Sequence, residues 1–581
     1  MRRFQTSKSL QLLPVLAAVF LVIAGIARAN AAQGIANAVW AQGRSDLKPD
    51  PAVVFGRLPN GMRYAILKNA TPAGQAALRL RIGSGSLQES DAQQGLAHFL
   101  EHMAFKGSAH VPDGEMMKIL QRKGLAFGPD TNAFTALTQT VYMLDLPEAD
   151  SGSIDTGLML LREIASELTL SPNAMEPERG VVLSEERLRD TPQYRAYVSR
   201  STMLTDGQLA ARRFPIGKVE VVRNAPASLI ADYYHANYRP DRAVLLAVGD
   251  FDPASIEDKI KGSFADWQPA GPATPEPDLG TVKQRGLSAT LVELPGSETR
   301  IEIAWVRAFD AAPDTQAKRR TDFIDVLGLE VLKRRLGKLA QGEKPPFLNA
   351  SASFSNVMRS AKAASVTAVS SPAAWREALA AIEQEQRRIV QHGVRQDELA
   401  REITEYRTRL EQAAAGAATR RTKDLASSLI DSVDRNRVFT SPADGLARFE
   451  LIVKDLTAAE VNAALGRMFK GEGPLVWMSA PAPVEGGEKA LTAEYTKAHQ
   501  VPVSAPPAEA VIKWPYQSFG PPGAVAQRTD VAGLGAVSVQ FSNGVRLTVK
   551  STQFHANEVL VNARVGNGRL DLPKGAPVWL S

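Results

Sequence analysis

The chain has 581 residues, of which 44% are hydrophobic and 22% are charged, and it contains no cysteine. This length predicts more than one domain, because single hydrophobic cores rarely grow beyond about 250–300 residues. The composition argues against a disordered, collagen-like or disulfide-stapled protein. The lack of cysteine excludes disulfides, thiol catalysis and Cys-ligated metals, so any metal site must use His, Asp or Glu.

The N-terminus, residues 1–31, differs in composition from the rest of the chain. Arg2 and Arg3 precede an apolar run over Leu10–Ala27 that ends in small residues. The pattern predicts a secretory signal peptide; the alternative is a membrane anchor, since about 18 apolar residues just span a bilayer. Cleavage after Ala29 removes four basic and no acidic residues, so the formal charge of +6 falls to +2. A nearly neutral mature chain argues against nucleic-acid binding.

From residue 51 onward, strand-like and helix-like segments follow each other without strict β-α-β alternation. This order predicts α+β layered domains with a mixed, largely antiparallel sheet and helices packed on it. The strands predicted in the first domain are Val53–Leu58, Met62–Leu67, Ala77–Ile82, one long strand over Asn132–Leu146, and Ala243–Val248. The helices predicted there are Gly95–Ala104, Gly114–Lys123, 154–169 and 176–190.

Shifts in composition divide the chain into five predicted segments. Pro- and Ala-rich stretches mark the boundaries, and the region after residue 480 shows little periodicity. The segments are the signal peptide (1–31), a first domain (48–268), a second domain (283–480), a connector (481–535) and the start of a third domain (536–581).

The third predicted domain repeats part of the first. Leu58–Tyr64 (LPNGMRY) returns as Phe541–Leu547 (FSNGVRL), and Arg81–Leu87 returns as Arg564–Leu570, both at an offset of 483 residues. A fixed offset is typical of a duplicated unit, whereas two unrelated hairpins are the alternative, because Asn-Gly is common in hairpins. We therefore expect an incomplete second half that stops near the place where the first copy reaches residue 98.

The candidate metal ligands and catalytic residues occur together in the segment Gly95–Phe105 (GLAHFLEHMAF). On a helix, His98, Glu101 and His102 fall within roughly 100° of one another, so both imidazoles can face one cation beside a carboxylate. This H-x-x-E-H pattern is the inverted form of a zinc-peptidase motif. The alternative is a pair of surface histidines, yet only 7 His occur in the chain and two of them lie here. The other five (His110, His235, His392, His499 and His555) stand alone and are not expected to bind metal.

A third ligand must come from elsewhere, and the acidic stretch after Met175 is the best candidate. Pro177 suits a first helical turn there, and Glu178 and Glu185 then share one helix face within about 20°. One carboxylate can bind zinc while the other supports a histidine. An exposed acidic helix is the alternative, and spacing alone does not choose between the two glutamates.

The ordered set of motifs resembles the M16 metallopeptidase family, which includes pitrilysin, insulinase and the mitochondrial processing peptidases. It is most similar to the long periplasmic bacterial members, over about residues 50–480 and the start of a second half at 536–581. The motifs that carry the resemblance are Gly95–Ser108, Gly128–Thr135, Thr140–Tyr142, Glu178–Glu185, Pro215–Gly217 and Asn237–Asp250.

The resemblance implies one zinc ion per chain, a general base and an edge strand that pairs with extended substrate. By the family pattern E-R-x-V-x-x-x-E, the third ligand is the last glutamate, Glu185. The matching residues are His98, His102 and Glu185 for the metal, Glu101 for the base, Glu178 for its acidic support, and Asn132, Ala133 and Phe134 for the substrate strand.

These observations together give two functional hypotheses. The first is a periplasmic zinc endopeptidase that hydrolyses peptides or unfolded proteins and keeps no membrane anchor after signal cleavage. The second is a non-catalytic peptide-binding or partner subunit, because the family contains inactive halves. The resemblance also implies that a second half contributes an Arg and a Tyr to the site, so we expect a separate half or a second copy of this chain as partner.

Overall fold

The computed structural model describes residues 39–126, 128, 130–506, 516, 518–554 and 558–567. The predicted signal peptide and His555 lie outside these residues. One compact unit takes its residues from Met1–Leu410 and Arg421–Ala510, and the other from Glu411–Arg420 and Val511–Ser581. Across the described ranges, no helix is both long enough and apolar enough to cross a bilayer.

The described residues form fourteen strands and fifteen α-helices. The strands are β1 (Val53–Arg57), β2 (Arg63–Lys68), β3 (Ala76–Ile82), β4 (Thr131–Thr135), β5 (Thr140–Leu146), β6 (Ala243–Gly249), β7 (Ser288–Glu293), β8 (Thr299–Ala308), β9 (Asn349–Val357), β10 (Ala361–Ser370), β11 (Glu472–Ala480), β12 (Val525–Val531), β13 (Ala536–Phe541) and β14 (Arg546–Lys550). The helices are α1 (Leu96–Met103), α2 (Glu115–Arg122), α3 (Ser151–Ser166), α4 (Pro172–Arg189), α5 (Pro192–Leu204), α6 (Val219–Asn224), α7 (Ala227–Asn237), α8 (Pro253–Phe264), α9 (Gln316–Ala340), α10 (Trp375–His392), α11 (Gln396–Ala415), α12 (Thr422–Asp434), α13 (Pro442–Val453), α14 (Ala458–Met468) and α15 (Gly487–Gln500).

The first sheet has six strands in the order β1-β2-β6-β3-β5-β4, and every pair except β2–β6 is antiparallel. Both faces are covered, which explains why β2 is buried at five successive positions. Tyr64 and Ile66 pack with α1, α3, α7 and α8, whereas Ala65 and Leu67 pack against α12. The predicted α+β class with a mixed, largely antiparallel sheet is confirmed.

The segment predicted as one long strand over Asn132–Leu146 is instead the hairpin β4–β5. Its turn contains no Gly or Pro, so the local sequence does not predict a turn at this place. The turn is held from outside, because the N–H groups of Ser86 and Leu87 donate to the carbonyls of Ala136 and Leu137 (3.1 and 2.9 Å). A side chain on Gly85 would lie 2.1 Å from the Ala136 carbonyl oxygen, so this approach requires glycine.

The acidic helix α4 begins earlier than predicted. Ser171 precedes it and Pro172 occupies the first turn, so Pro177 lies inside the helix and not at its start. Proline fits the first turn because its missing N–H has no helical partner there. The extra turn does not change the relation between Glu178 and Glu185, which remain two turns apart on one face.

The second sheet has five strands in the order β7-β11-β8-β10-β9. One face packs against α9, α10, α14 and α15. Helix α15 lies within the region predicted as a connector, and it buries Leu491, Tyr495 and Ala498. The three apolar positions have helical spacing, but they are separated by polar residues and flanked by Pro and Gly. For this reason the sequence pattern did not predict the helix.

The third sheet, β12-β13-β14, repeats part of the first. Strands β1 and β2 pair Val53 with Leu67, and β13 and β14 pair Ala536 with Lys550, which are the same positions at the offset of 483. In both Asn-Gly turns the glycine N–H donates to the carbonyl three residues earlier, at 3.0 and 2.9 Å. This equivalence is what duplication of the hairpin predicts; a wider third domain stays a prediction.

Within the first unit, Asp434 at the end of α12 joins the two sheets. Its carboxylate accepts from Arg81 of β3 (3.1 Å), from Thr138 in the β4–β5 turn (2.9 Å) and from Arg359 in the β9–β10 turn (3.0 Å). Burial opposes the charged form, but the two guanidinium groups and the Thr138 hydroxyl outweigh it and lower the pKa of Asp434. One carboxylate is therefore shared by two guanidinium groups, one beside each sheet.

We expect Asp434→Asn to lower the free energy of unfolding by about 2–3 kcal/mol, because it leaves two arginines without their counter-charge. Since the pKa of Asp434 is depressed in the folded state, this stabilisation is present above the unfolded carboxyl value of about 3.9 and is lost as the pH falls through the folded value. Urea unfolding of both proteins from pH 7 to pH 3 measures it, and the difference between their free energies of unfolding should narrow as the pH falls below about 3.9.

The matched control is Asp431→Asn, one turn earlier on α12, where the ion pair with Arg435 is exposed. It should change the free energy of unfolding by less than about 0.5 kcal/mol. Equal effects of the two substitutions would contradict the assigned role of Asp434.

Candidate metal centre

The helix that carries the H-x-x-E-H motif, α1, begins at a fixed point. Gly95 precedes it with φ of +100°, a conformation that favours glycine. A side chain on Gly217 would lie 2.2 Å from the Cα of Gly95, so the two backbones are in direct contact. The Lys218 N–H donates to the Gln94 carbonyl beside this contact (3.2 Å).

A buried carboxylate completes the start of α1. The Glu89 side chain accepts from the backbone N–H groups of Gly95 (3.0 Å) and Ala97 (2.8 Å). These groups have no partner within a helix, so a side-chain acceptor at this place satisfies them. Burial raises the pKa of Glu89 to about 8, although the backbone donors and Arg213 act in the opposite direction. Glu89 and the contact between Gly95 and Gly217 therefore fix the position of the motif residues on α1.

Three of the predicted ligands converge between α1 and α4. The Nε2 atoms of His98 and His102 lie 3.6 and 3.1 Å from Oε2 of Glu185. The three ligand atoms all lie within 4.8 Å of one another, and no other group of three potential ligands meets that limit among the described residues. The structure thus brings Glu185, and not Glu178, to the histidine Nε2 atoms.

The residues present fit a zinc ion. Ligands at about 2.1 Å around a tetrahedral zinc are separated by about 3.4 Å, and the two measured separations from Glu185 bracket that value. Two imidazoles and one carboxylate are also the ligand set of zinc sites that keep a fourth position open. Among the described residues, the buried Nδ1 of His98 has no hydrogen-bond partner.

Glu178 supports His102 from the other side of the ring. Its Oε1 lies 2.9 Å from Nδ1 of His102, and its Oε2 accepts from Nζ of Lys106 at 2.7 Å. Burial opposes the charge on Glu178, but the bonds to His102 and Lys106 lower its pKa. A carboxylate on Nδ1 fixes the tautomer that leaves Nε2 free to bind a metal.

The two histidines differ in their protonation. Burial, together with the neighbouring His102, lowers the pKa of His98 to about 4. Burial acts in the same direction on His102, but the bond to Glu178 and the charges of Glu101 and Glu185 raise its pKa overall. His98 is therefore neutral at pH 7, and a proton held by Nε2 of His102 would be released when a cation binds.

Glu101 lies on the same helix face with its carboxylate free of the ligand group. Burial raises its pKa, partly offset by the hydroxyl of Thr135, which donates to Oε2 at 2.6 Å. Thr135 is the last residue of β4, so the β4–β5 turn places the hydroxyl beside the base.

Strand β4 is the outer strand of the first sheet as far as the described residues show. Asn132 and Phe134 are exposed and Ala133 is half-buried. The Ala133 N–H donates to the side-chain oxygen of Asn132 (2.8 Å). The three residues predicted to bind substrate therefore lie together on an edge, one residue before the contact with Glu101.

Two family models match this chain. Insulinase (peptidase family M16) matches residues 64–205, and the peptidase M16 inactive domain matches residues 226–406. The chain belongs to peptidase family M16.

Curated M16 relatives are similar over parts of their length. The "Probable zinc protease PqqL" of Haemophilus influenzae is 32% identical over 269 residues, which is 44% of this chain and 29% of the relative. The "Zinc protease PQQL-like" protein of Arabidopsis thaliana is 26% identical over 90% of this chain and 52% of the relative. The chain thus spans about half the length of the second relative, and its match covers less of the first.

The fold of this M16 chain is also similar to a solved structure. The crystal structure of the periplasmic protease PqqL from Escherichia coli superposes with a TM-score of 0.74 at 23% identity, over 87% of this chain and 56% of that one.

Four residues at this M16 site were not predicted from the sequence as partners of the motif. Arg189 pairs with Glu185 four residues earlier on α4, so helical spacing was an available signal. Lys106 lies just after α1 and pairs with Glu178 of α4, which no local spacing predicts. Glu89 and Thr135 belong to a loop and a strand, and no local spacing links them to α1.

We expect Glu185→Gln to abolish zinc binding at micromolar zinc, because it removes a ligand, whereas Glu178→Gln should weaken binding by about 10–100-fold. A competitive titration against a chromophoric chelator measures both. Glu186→Gln is the matched control, since it changes a neighbouring carboxylate on another face of α4. Loss of zinc in Glu178→Gln with retention in Glu185→Gln would refute the ligand assignment.

Proposed function

We propose that this chain is a zinc-dependent endopeptidase that cleaves peptides or unfolded proteins by activating a water molecule. The metal ligands are His98, His102 and Glu185, and one zinc ion binds per chain. The relatives named zinc proteases support the class of reaction. The single observation that carries the proposal is the convergence of three ligand atoms within 4.8 Å beside the free carboxylate of Glu101.

Bound zinc supplies a Lewis acid that polarises a carbonyl and lowers the pKa of water to near 7. Glu101 is the general base of the proposal. Because burial raises its pKa, its carboxylate is basic enough to take a proton from water and then to pass it to the leaving amine. The Thr135 hydroxyl holds Oε2, which keeps the carboxylate oriented during both transfers. Glu178 acts through His102, so it is a positioning residue.

The substrate in this proposal is an extended backbone that adds to the edge of β4. Main-chain hydrogen bonds give affinity without a strict sequence requirement, which suits an enzyme for varied peptides. The Ala133 N–H is the donor for this pairing, with Asn132 and Phe134 beside it. An incoming carbonyl would replace the Asn132 side-chain oxygen that this N–H now contacts.

The proposed location is the periplasm, supported by the signal-peptide pattern in residues 1–31 and by the similar PqqL proteins. The proposed partners are the peptide substrate and a second M16 half, either on a separate chain or in a second copy of this one. The alternative function is a non-catalytic peptide-binding subunit, which the presence of the M16 inactive-domain match keeps open.

Glu101→Gln should reduce hydrolysis by about 10²–10⁴-fold while zinc content is unchanged, because it removes the base and no ligand. A quenched-fluorescence peptide assay on the zinc-loaded chain measures the first quantity, and metal analysis of the same sample measures the second. The unaltered chain binding zinc without any hydrolysis would favour the non-catalytic alternative. Full activity in Glu101→Gln would refute the assignment of Glu101 as the general base.

Ala133→Pro should raise KM for peptides about tenfold or more with little change in zinc content, because it removes one free-edge donor. Proline is tolerated on the open side of an edge strand, so the sheet should remain intact. Ala133→Val is the matched control, as it enlarges the side chain and keeps the N–H. An unchanged KM in Ala133→Pro would exclude backbone pairing at this position.

A further inference from the structure

Seven arginines are buried among the residues that the structure describes, and six of them pair with a carboxylate. These six pairs are Arg79–Asp145, Arg81–Asp434, Arg179–Glu176, Arg213–Asp91, Arg335–Glu398 and Arg387–Glu383. Arg63 is the exception. Within the described chain its guanidinium has no ion pair or hydrogen bond, and its Nε is buried without a partner. An unpaired charge in a protein interior is strongly unfavourable, so this position calls for a counter-charge.

The surroundings of Arg63 do not supply that charge. It is 8% exposed at the start of β2. Burial, with repulsion from Arg81 and Arg57, lowers its pKa to about 9, so it remains protonated at neutral pH. Its guanidinium lies over the Trp40 ring, 5.2 Å from the centroid. A cation–π contact is worth about 0.5–2 kcal/mol and does not neutralise the charge.

Arg63 lines a cavity of about 20 Å³. One water molecule needs about 10–15 Å³, so the space suits one small solute. No carboxylate among the described residues lines it, whereas it is bordered by several hydrogen-bond donors. Its polar and aromatic walls are Trp40, Gln42, Phe55, Arg63, Ser432, Asn436, Arg437 and Phe439.

We propose that this cavity is a binding site for a small inorganic anion of about the size of chloride. The positive charge comes from Arg63 inside the cavity and Arg437 at its exposed wall. The amide groups of Gln42 and Asn436 supply neutral donors. An anion here would neutralise the buried guanidinium, as a carboxylate does for the other six.

The site would also join separate parts of the chain. Its walls come from the residues before β1, from β1 and β2, and from α12 with the turn after it. Helix α12 covers the face of the first sheet opposite α1. Bound anion would therefore hold α12 on the sheet and stabilise the folded unit without contacting the metal centre.

Thermal unfolding of the full chain in sodium chloride and in sodium gluconate, at equal ionic strength, tests the proposal. Gluconate is too large for the cavity. We expect the Tm to rise with chloride concentration by about 2–4 °C and then to level off, as ligand binding to the folded state requires. In Arg63→Met the difference between the two salts should disappear.

Arg79→Met is the matched control, because it removes a 2%-exposed arginine of the same sheet that has its own partner. It should lower the Tm equally in both salts and keep the chloride dependence. If Arg63→Met does not fold, bromide-soaked crystals of the unaltered chain give a direct result. An anomalous peak within hydrogen-bond distance of Arg63 supports the site, and water alone in the cavity overturns it. Equal Tm values of the unaltered chain in the two salts, or a chloride effect that persists in Arg63→Met, also overturn it.

Discussion

The contact between α1 and α4 is the constraint on which the rest of the site depends. His102 and Glu185 are separated by 83 residues in the sequence, yet Nε2 and Oε2 lie 3.1 Å apart. The helix α1 has only eight residues, so it cannot hold its own position by propensity alone. Its place is determined at its start by the glycine contact and Glu89, and along its length by burial of its apolar residues in the first core.

The same contact separates the roles of carboxylates that have similar chemistry. Glu185 faces both Nε2 atoms, Glu178 faces Nδ1 of His102, and Glu101 faces Thr135. The surroundings decide the protonation of each group, because the bonds to His102 and Lys106 lower the pKa of Glu178 while burial raises that of Glu101. A proposed ligand, a proposed positioning group and a proposed base thus lie within one small region without competing for the same partner.

The second sheet contacts α5, the helix that directly follows α4 in the chain. Arg200 of α5 pairs with the buried Glu302 of β8 (2.8 Å), and the Trp477 indole N–H donates to Ser199 (3.1 Å). Asp434 neutralises arginines from both sheets on the opposite side. The second sheet therefore contacts the helix that directly follows α4, and we infer a supporting role for it in the site.

How much the sequence predicted depends on the range of each interaction. The spacing of His98, Glu101 and His102 is a local helical property, so periodicity alone placed them on one face. The choice of Glu185 over Glu178 needed the family pattern, because it depends on how two distant helices pack. The β4–β5 turn was missed because Gly85, from another loop, makes it possible. Arg63 gave no signal at all, since an unpaired charge is visible only once every neighbour is known.

The most direct test of the account is a crystal structure of the zinc-loaded chain with data collected on both sides of the zinc absorption edge. The account predicts one anomalous peak per chain, within about 2.3 Å of Nε2 of His98, Nε2 of His102 and a carboxylate oxygen of Glu185. Absence of that peak, or a zinc ion bound by Glu178 in place of Glu185, would contradict it.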